Sequence, residues 1–365
     1  MQLPLGQTPL PALARARIYV CGITPYDTTH IGHAATFVWV DALARVLGHV
    51  GIEAQVARNI TDIDDELLRE AAQRQTTWTA LATQQTFQFE DDMRKLRVRR
   101  PTFEPASRDY VTEVIFLARA LLDRGAAYVA DGSVYFRAGD LWAQSTLTRD
   151  EALGVYGDRG GRIDDPAKQD PFDAAIWQRS VDGEPAWESP WGPGRPGWHV
   201  ECAAMATTVL GLSIDVHAGG ADLAYPHHVY EQAMVEAATG VTPFARSWMH
   251  IGTVTRNGAK VAKSTGNLVF VMDLLTRWQP QAVRLHILNR SWAQDWEFVE
   301  DDLAGAEALL ESLWSAAGDG GADDVAVQAA LDALLTDLDV PRALDIALEA
   351  KGEAARTVAK VLALV

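Results

Sequence analysis

The sequence predicts an α/β fold built on a parallel sheet, with an inserted α+β segment and a C-terminal helical bundle. Three observations carry this reading. First, the stretch YVCGITPYDTTHIGHAAT (19–36) continues a short apolar β run, 17–20, delivers Cys21, turns through Pro25 and enters a helix at His30–His33. Second, a β-branched run at 52–63 follows that helix closely enough for a βαβ unit, which implies parallel strands and a right-handed crossover. Third, the same strand, turn and helix order returns at 213–238. In such sheets ligands bind beyond the carboxyl ends of the strands, where Cys21 and Asn59–Asp62 both fall.

The totals bound the possibilities. With 365 residues and 48% hydrophobic content, the chain can bury one large domain with a smaller inserted or appended one. It has no apolar run of membrane-spanning length, and its first residues lack a basic segment followed by an apolar one, so a cytoplasmic protein without a membrane partner is expected. The net charge of −17 argues against a long polyanion such as DNA as partner. Only two cysteines are present, Cys21 and Cys202. In a reducing compartment a disulfide between them would be unusual, whereas thiolates meeting at a metal would not.

Residues 1–125 form the first half of the expected catalytic domain. After the second strand the chain is polar and helical to Arg99, and a further helix spans 110–124, ending at Gly125. Residues 126–197 form an insertion, with a hairpin turning at Asp131-Gly132 and a long polar, glycine-rich loop from Gly157 to Asp173. Residues 198–300 resume the α/β pattern: a strand runs into Gly219-Gly220-Ala221-Asp222, a helix follows Pro226-His227-His228, and a strand at 248–254 leads to a lysine-bearing loop. Residues 301–365 are alanine- and leucine-rich with helical periodicity, interrupted near 317–322.

Two constellations carry chemistry. Cys21, Cys202, His227 and Glu231 offer two thiolates, an imidazole and a carboxylate, a set that suits zinc. His227 and Glu231 stand at i and i+4 on one helix face. Taken singly, each cysteine reads first as a small buried apolar residue; the argument for a metal is that Cys21 and His227 follow strand ends that converge in a parallel sheet. The second constellation pairs His30 and His33, flanking Gly32 at a helix N-terminus, with Lys260, Lys263 and Ser264 far downstream. Helix N-termini attract phosphate, and two lysines on a loop can clamp a polyphosphate. Alone, each segment reads as an ordinary exposed helix start or a solvated basic loop; their joint occurrence in this order favours a nucleotide site.

These two segments resemble the paired signatures of class I aminoacyl-tRNA synthetases. The blocks YVCGITPYDTTHIGH, RNITDIDD, RPGWHVECAAM, IDVHAGGADLAYPHH and KSTGN together resemble the cysteinyl-tRNA synthetase family and its shorter relative, the mycothiol-pathway cysteine ligase, over about residues 17–300. The resemblance implies a Rossmann-like class I catalytic domain in which a zinc on Cys21, Cys202, His227 and Glu231 selects cysteine by its thiol. It implies Cys21, Thr24, Thr61, Trp198 and His217 around the amino acid. It also implies ATP with Mg²⁺ held by His30, Gly32, His33, Gly219, Gly220, Asp222, Lys260, Lys263 and Ser264, with His30, His33, Lys260 and Lys263 serving catalysis.

The acceptor divides the family. The segment after Ser264 has room for a small helical bundle rather than the longer tail and anticodon module of the full synthetases. Ile23-Thr24-Pro25-Tyr26-Asp27 resembles the ligase, and Asp158-Arg159-Gly160-Gly161 resembles its arginine/diglycine insertion motif. An amino-sugar acceptor such as glucosaminyl-inositol is therefore expected, with tRNA or another carrier as the alternative and a non-catalytic cysteine-binding relative as a third. Three departures stand out: Val261 and Ala262 replace the usual methionine and serine between the lysines, Arg162-Ile163 replaces Asp-Pro after the diglycine, and Glu231 is the more synthetase-like of the metal-site residues.

Overall fold

The computed structural model describes residues 2–6, 8–11, 14–27, 29–262 and 265–365. The chain opens with a hairpin, β1 (Gln2–Leu5) and β2 (Thr8–Pro11), of which the sequence offered no sign. Strand β3 (Arg15–Ile23) then enters the core, buried along nearly its whole length, and hands the chain to α1 (Ile31–His49). Helix α1 is apolar on most of its circumference because it is covered on most sides. The crossover returns the chain as β4 (Glu53–Ile60). The polar helical stretch divides into α2 (Asp65–Gln73), capped by Asp64, and α3 (Trp78–Lys95), capped by Thr77. Helix α4 (Val111–Asp123) follows.

The insertion begins with the expected hairpin, β5 (Ala127–Ala130) and β6 (Ser133–Phe136), whose turn residues Asp131 and Gly132 both have positive φ. Just before the glycine-rich loop, and running into its first two residues, lies α5 (Arg149–Asp158), which starts with a reciprocal capping box between Thr148 and Glu151. Strands β7 (Ala174–Arg179) and β8 (Gly194–Pro196) complete a four-stranded antiparallel sheet in the order β5-β6-β7-β8.

Helix α6 (Trp198–Leu210), β9 (Ile214–Gly220), α7 (Val229–Thr239) and β10 (Ala245–Ile251) rebuild the α/β pattern. The strand expected at 248–254 is thus two: β10 ends at Ile251, and β11 (Val254–Arg256) belongs with β12 (Ala259–Lys260) to a separate small sheet. Gly252, whose N–H bonds the Trp292 carbonyl, is the break. Short helix α8 (Val271–Leu274), helix α9 (Pro280–Leu288) and β13 (Trp296–Glu297) lead to the bundle of α10 (Asp302–Gly318), α11 (Asp324–Leu335), α12 (Val340–Ala350) and α13 (Gly352–Val361).

The central sheet has the order β10-β9-β3-β4 and is parallel throughout, as expected for a Rossmann-like α/β domain. One core unites α1, the sheet and the bundle, while a second lies between α4, the insertion and parts of α6 and α7. No helix among the described residues is long and apolar enough to cross a membrane.

A buried ion pair ties the end of the bundle to α1. Arg284 on α9, fully buried, donates to Asp41 on α1 at 2.6 Å, to the Leu96 carbonyl at 3.0 Å and to the Leu362 carbonyl at 2.7 Å. Burial alone would raise the Asp41 carboxyl, but Arg284 and Arg45 outweigh it and hold it below the usual range. Removing one partner of such a pair leaves an uncompensated charge. Arg284→Ala should therefore destabilise the protein by about 3–5 kcal/mol in urea denaturation; a loss well under 1 kcal/mol would show that the bundle does not depend on this contact.

Candidate active site

The parallel register sets Tyr19 beside His217 and Val20 beside Ala218, so the carboxyl ends of β3 and β9 emerge side by side. Cys21 stands at the first end. The neighbouring Gly22 is obligatory, because a Cβ there would lie 1.7 Å from the Asn59 carbonyl oxygen. Asn59, at the end of β4, accepts from the Gly22 N–H at 2.8 Å and donates to Cys202 Sγ at 3.4 Å. Cys202 comes from the second turn of α6, and His227 and Glu231 from the head of α7. The ligand atoms of Cys21, Cys202, His227 and Glu231 all lie within 4.8 Å of one another, and all four residues are buried.

Glu231 is pinned from two sides, by His217 Nε2 at 3.0 Å and His227 Nε2 at 2.9 Å. Burial alone would raise its carboxyl, but the two imidazoles hold it well below the usual range. His227 Nδ1 lies 2.8 Å from His199 Nδ1, and its ring stacks on Trp198 at 4.2 Å between centroids. Burial pushes the Cys21 thiol up. A second grouping of Cys21, His217, His228 and Glu231 is equally compact. It continues outward, with His228 Nδ1 2.9 Å from His250 Nε2.

The second constellation lies at the other end of the same opening. His30 is the N-cap of α1, and its Nδ1 accepts from the N–H groups of Gly32 at 3.2 Å and His33 at 3.4 Å. The His30 and His33 rings stack at 3.8 Å. Burial, with His33 and Lys260 nearby, pulls His30 down to about 2, and burial pulls His33 down to about 4. Both rings are therefore neutral at neutral pH and serve as hydrogen-bonding groups rather than cations. Backbone bonds from Ile31 N–H to the Val269 carbonyl and from Val271 N–H to the Thr29 carbonyl bring the exit of the lysine loop against this helix head. Lys260 Nζ lies 2.6 Å from Asp222 Oδ2.

One cavity of about 1210 Å³ joins these groups. Thr24, Thr61 and Trp198 line it together with Cys21, Cys202 and His227, and His30, Gly32, His33, Gly220, Asp222 and Lys260 line its other part. Thr24 and Thr61 are hydrogen-bonded at 2.8 Å. Two residues expected at the pocket surface lie behind it: His217 is fully buried beneath Glu231, and Gly219 packs against His228 so closely that a Cβ would meet its ring at 2.9 Å. Lys263 and Ser264 lie outside the described residues.

This arrangement places the chain among known proteins. A family described as the tRNA synthetases class I (C) catalytic domain matches residues 11–308. The chain belongs to this family. The L-cysteine:1D-myo-inositol 2-amino-2-deoxy-alpha-D-glucopyranoside ligase of Acidothermus cellulolyticus is 43% identical over 340 residues, covering 90% of this chain and 83% of that protein. The ligase of the same name from Gordonia bronchialis is also 43% identical over 340 residues, covering 90% and 82%. Among solved structures, Mycobacterium tuberculosis methionyl-tRNA synthetase bound by methionyl-adenylate superposes with a TM-score of 0.64 at 17% identity, covering 96% of this chain and 82% of that one, a likeness of fold.

Within this class I (C) catalytic domain, the altered lysine loop has a packing explanation. Val261 is buried in the main core, and the Ala262 N–H donates to Asn267 Oδ1 at 3.2 Å, so the loop is anchored through backbone and core without the missing hydroxyl. Sequence reasoning missed His199, His228 and His250, which reach the thiol end from three different elements. It also missed Asn59 as the bridge between Gly22 and Cys202. The dual position of His30, as cap and as cavity wall, separates two roles experimentally. His30→Ala should cost about 1 kcal/mol of stability, whereas His30→Asn, which keeps a capping acceptor, should retain most of it in urea denaturation; equal stability of all three proteins would show that the cap is not made.

Proposed function

We propose that this protein activates L-cysteine with ATP and transfers the cysteinyl group to the amine of an amino sugar of the glucosaminyl-inositol type, forming an amide. The observation that carries the reading is the single cavity that joins a thiol-addressing cluster to a phosphate-addressing helix end. Membership of the class I (C) family and the 41–43% identity to relatives named as cysteine ligases for that amino sugar support the same conclusion. In the first step a carboxylate oxygen of cysteine attacks the α-phosphorus of ATP. The bond to the bridging oxygen breaks, and pyrophosphate leaves with the electron pair. In the second step the acceptor amine attacks the carbonyl carbon of the adenylate, AMP departs and the amine loses a proton.

The residues divide this work by position. Thr24, Thr61 and Trp198 bound the space in which cysteine would lie, with His217 holding Glu231 from behind rather than touching substrate. The neutral rings of His30 and His33 offer hydrogen bonds to phosphate oxygens, and the positive end of the α1 dipole lies in the same part of the cavity. Lys260, together with Lys263 of the same loop and Mg²⁺ accompanying ATP, would meet the charge that develops on the leaving pyrophosphate.

What supports zinc is the donor chemistry: two thiols, one imidazole and one carboxylate, buried together and braced by His217 and His199. Of the two compact groupings, the one with Cys202 and His227 fits a substrate-facing role, because Cys21, Cys202 and His227 line the cavity whereas His217 and His228 do not. Zinc bound there would supply a preference for a thiol over a hydroxyl, a distinction that ordinary pocket contacts between such isosteres limit to about a hundredfold.

Two measurements test these assignments. Metal analysis of the purified protein should find one zinc per chain and a Cys21→Ser/Cys202→Ser protein should have lost it; stoichiometric zinc in the double variant would sink the site. Incubation with ATP, labelled cysteine and either glucosaminyl-inositol or bulk tRNA should label only the amino sugar, in a reaction that needs ATP; label on tRNA alone would replace the proposed acceptor.

A further inference from the structure

The arginine/diglycine motif of the insertion remains without a role in this scheme, and its position supplies one. Arg159 follows the last residue of α5 and reaches out of the insertion to Asp222, with Nη2 2.5 Å from Oδ2. That same oxygen receives Lys260 Nζ at 2.6 Å. Two cations from opposite walls of the cavity thus share one carboxylate oxygen. Burial alone would raise Asp222, but Lys260 and Arg159 outweigh it and hold it at about 2. One carboxylate oxygen bridges both cations, so neither has Asp222 to itself beside His30 and His33.

The diglycine explains how Arg159 comes to be there. Gly160 has φ +82, a left-handed conformation that ends α5, and Gly161 has no room for a side chain because a Cβ would lie 2.4 Å from the Tyr156 ring. The Gly161 carbonyl accepts from Lys168 Nζ, which fixes the turn from below. The other cationic side chains lining the cavity are engaged elsewhere: Arg69 with Glu66, Arg162 with Asp65, Arg195 with Asp65 and Glu184, and Lys168 with the Gly161 and Pro171 carbonyls. Among the described residues of the cavity, only Lys260 and Arg159 are bonded to Asp222.

We propose that Arg159 is a phosphate-binding catalytic residue of the activation step, which exchanges Asp222 for the triphosphate of ATP and, with Lys260, holds the departing pyrophosphate. A guanidinium suits this use because its planar fork matches phosphate oxygens and its charge is permanent. It does not suit the acceptor, whose ammonium it would repel. The neutrality of His30 and His33 leaves the positive charge at this end to the lysine loop and Arg159. The inference rests on the adenylate-forming reading above, and it gives the insertion a part in the first half-reaction rather than in acceptor choice.

The test is cysteine-dependent ATP–pyrophosphate exchange, which needs no acceptor, in the full chain and its Arg159→Ala and Arg159→Lys variants. Exchange kcat/KM for ATP should fall about a hundredfold in Arg159→Ala and recover in part in Arg159→Lys. Binding of a non-hydrolysable sulfamoyl analogue of cysteinyl-adenylate, which carries no pyrophosphate, should stay within about threefold of wild type. Exchange unchanged in Arg159→Ala would overturn the inference. So would a loss of analogue affinity as large as the loss of exchange, since that pattern marks an arginine that merely anchors the insertion. A wild-type chain without exchange would overturn the activation reading itself, and this inference with it.

Discussion

The pairing of β3 with β9 is the constraint on which the site depends. Its register sets Ile18, Tyr19 and Val20 opposite Val216, His217 and Ala218. Because successive side chains on a strand point to opposite faces, a slip of one residue would turn His217 away from Glu231. Glu231 would then lose one of its two imidazoles, and the buried carboxylate next to Cys21 and Cys202 would lose half of its compensation. Hydrophobic burial fixes the register: Ile18, Val20, Val216 and Ala218 sit in the main core, while Tyr19 and Cys21 sit in the cluster on the other side of the sheet. The geometry of the thiol cluster and the packing of the sheet are thus one and the same specification.

The two ends of the cavity handle charge in opposite ways. At the thiol end the central groups are closely partnered: Glu231 lies between His217 and His227, His227 against His199, and Cys202 against Asn59. Such a site is rigid and specific. At the phosphate end two cations share one carboxylate and two histidines stay uncharged. There both cations hang on one carboxylate oxygen, so an anionic ligand can draw on two cations by displacing a single group. The contrast suits a pocket that must recognise a small neutral side chain at one end and a polyanion with its metal at the other.

Much of this was legible in the sequence where function is concentrated in short segments. The run from Tyr19 to Thr36 announced strand, turn and helix because its apolar stretch and its proline- and glycine-punctuated turn follow local rules, whereas the cap that His30 makes on α1 is visible only in the structure. The convergence of Cys21 with Cys202, His227 and Glu231 was open to argument because strand ends meet on one side of a parallel sheet. His217 was harder: its strand was evident, but nothing local tells which face of that strand opens to the cavity, and it lies behind Glu231 rather than in the pocket wall. His199, His228 and His250 gave no signal, since their meeting depends on how α6, α7 and β10 dock. The split at Gly252 was missed because the bond that enforces it comes from Trp292, far along the chain.

The hydrophobic clusters explain why the reactive space lies where it does. The main core carries β3, α1, the lysine loop through Val254 and Val261, and the helical bundle. The second core carries α4, the insertion and one stripe of α6, Val200 and Ala204, while another stripe, Cys202, Ala203 and Ala206, packs under the thiol end. Helix α6 is therefore shared, and the cavity runs along the seam between two bodies. Buried polar groups are tolerated along a seam because neither core has to enclose them on its own. Lys260 comes from the first body, Arg159 from the second, and Asp222, on the turn after β9, joins them. The cluster around Cys21 is built from the central sheet, α6 and α7 and needs none of the insertion's own residues. The Arg159–Asp222–Lys260 arrangement exists only when both bodies are in place, so the segment that carries Arg159 helps to shape this corner of the cavity.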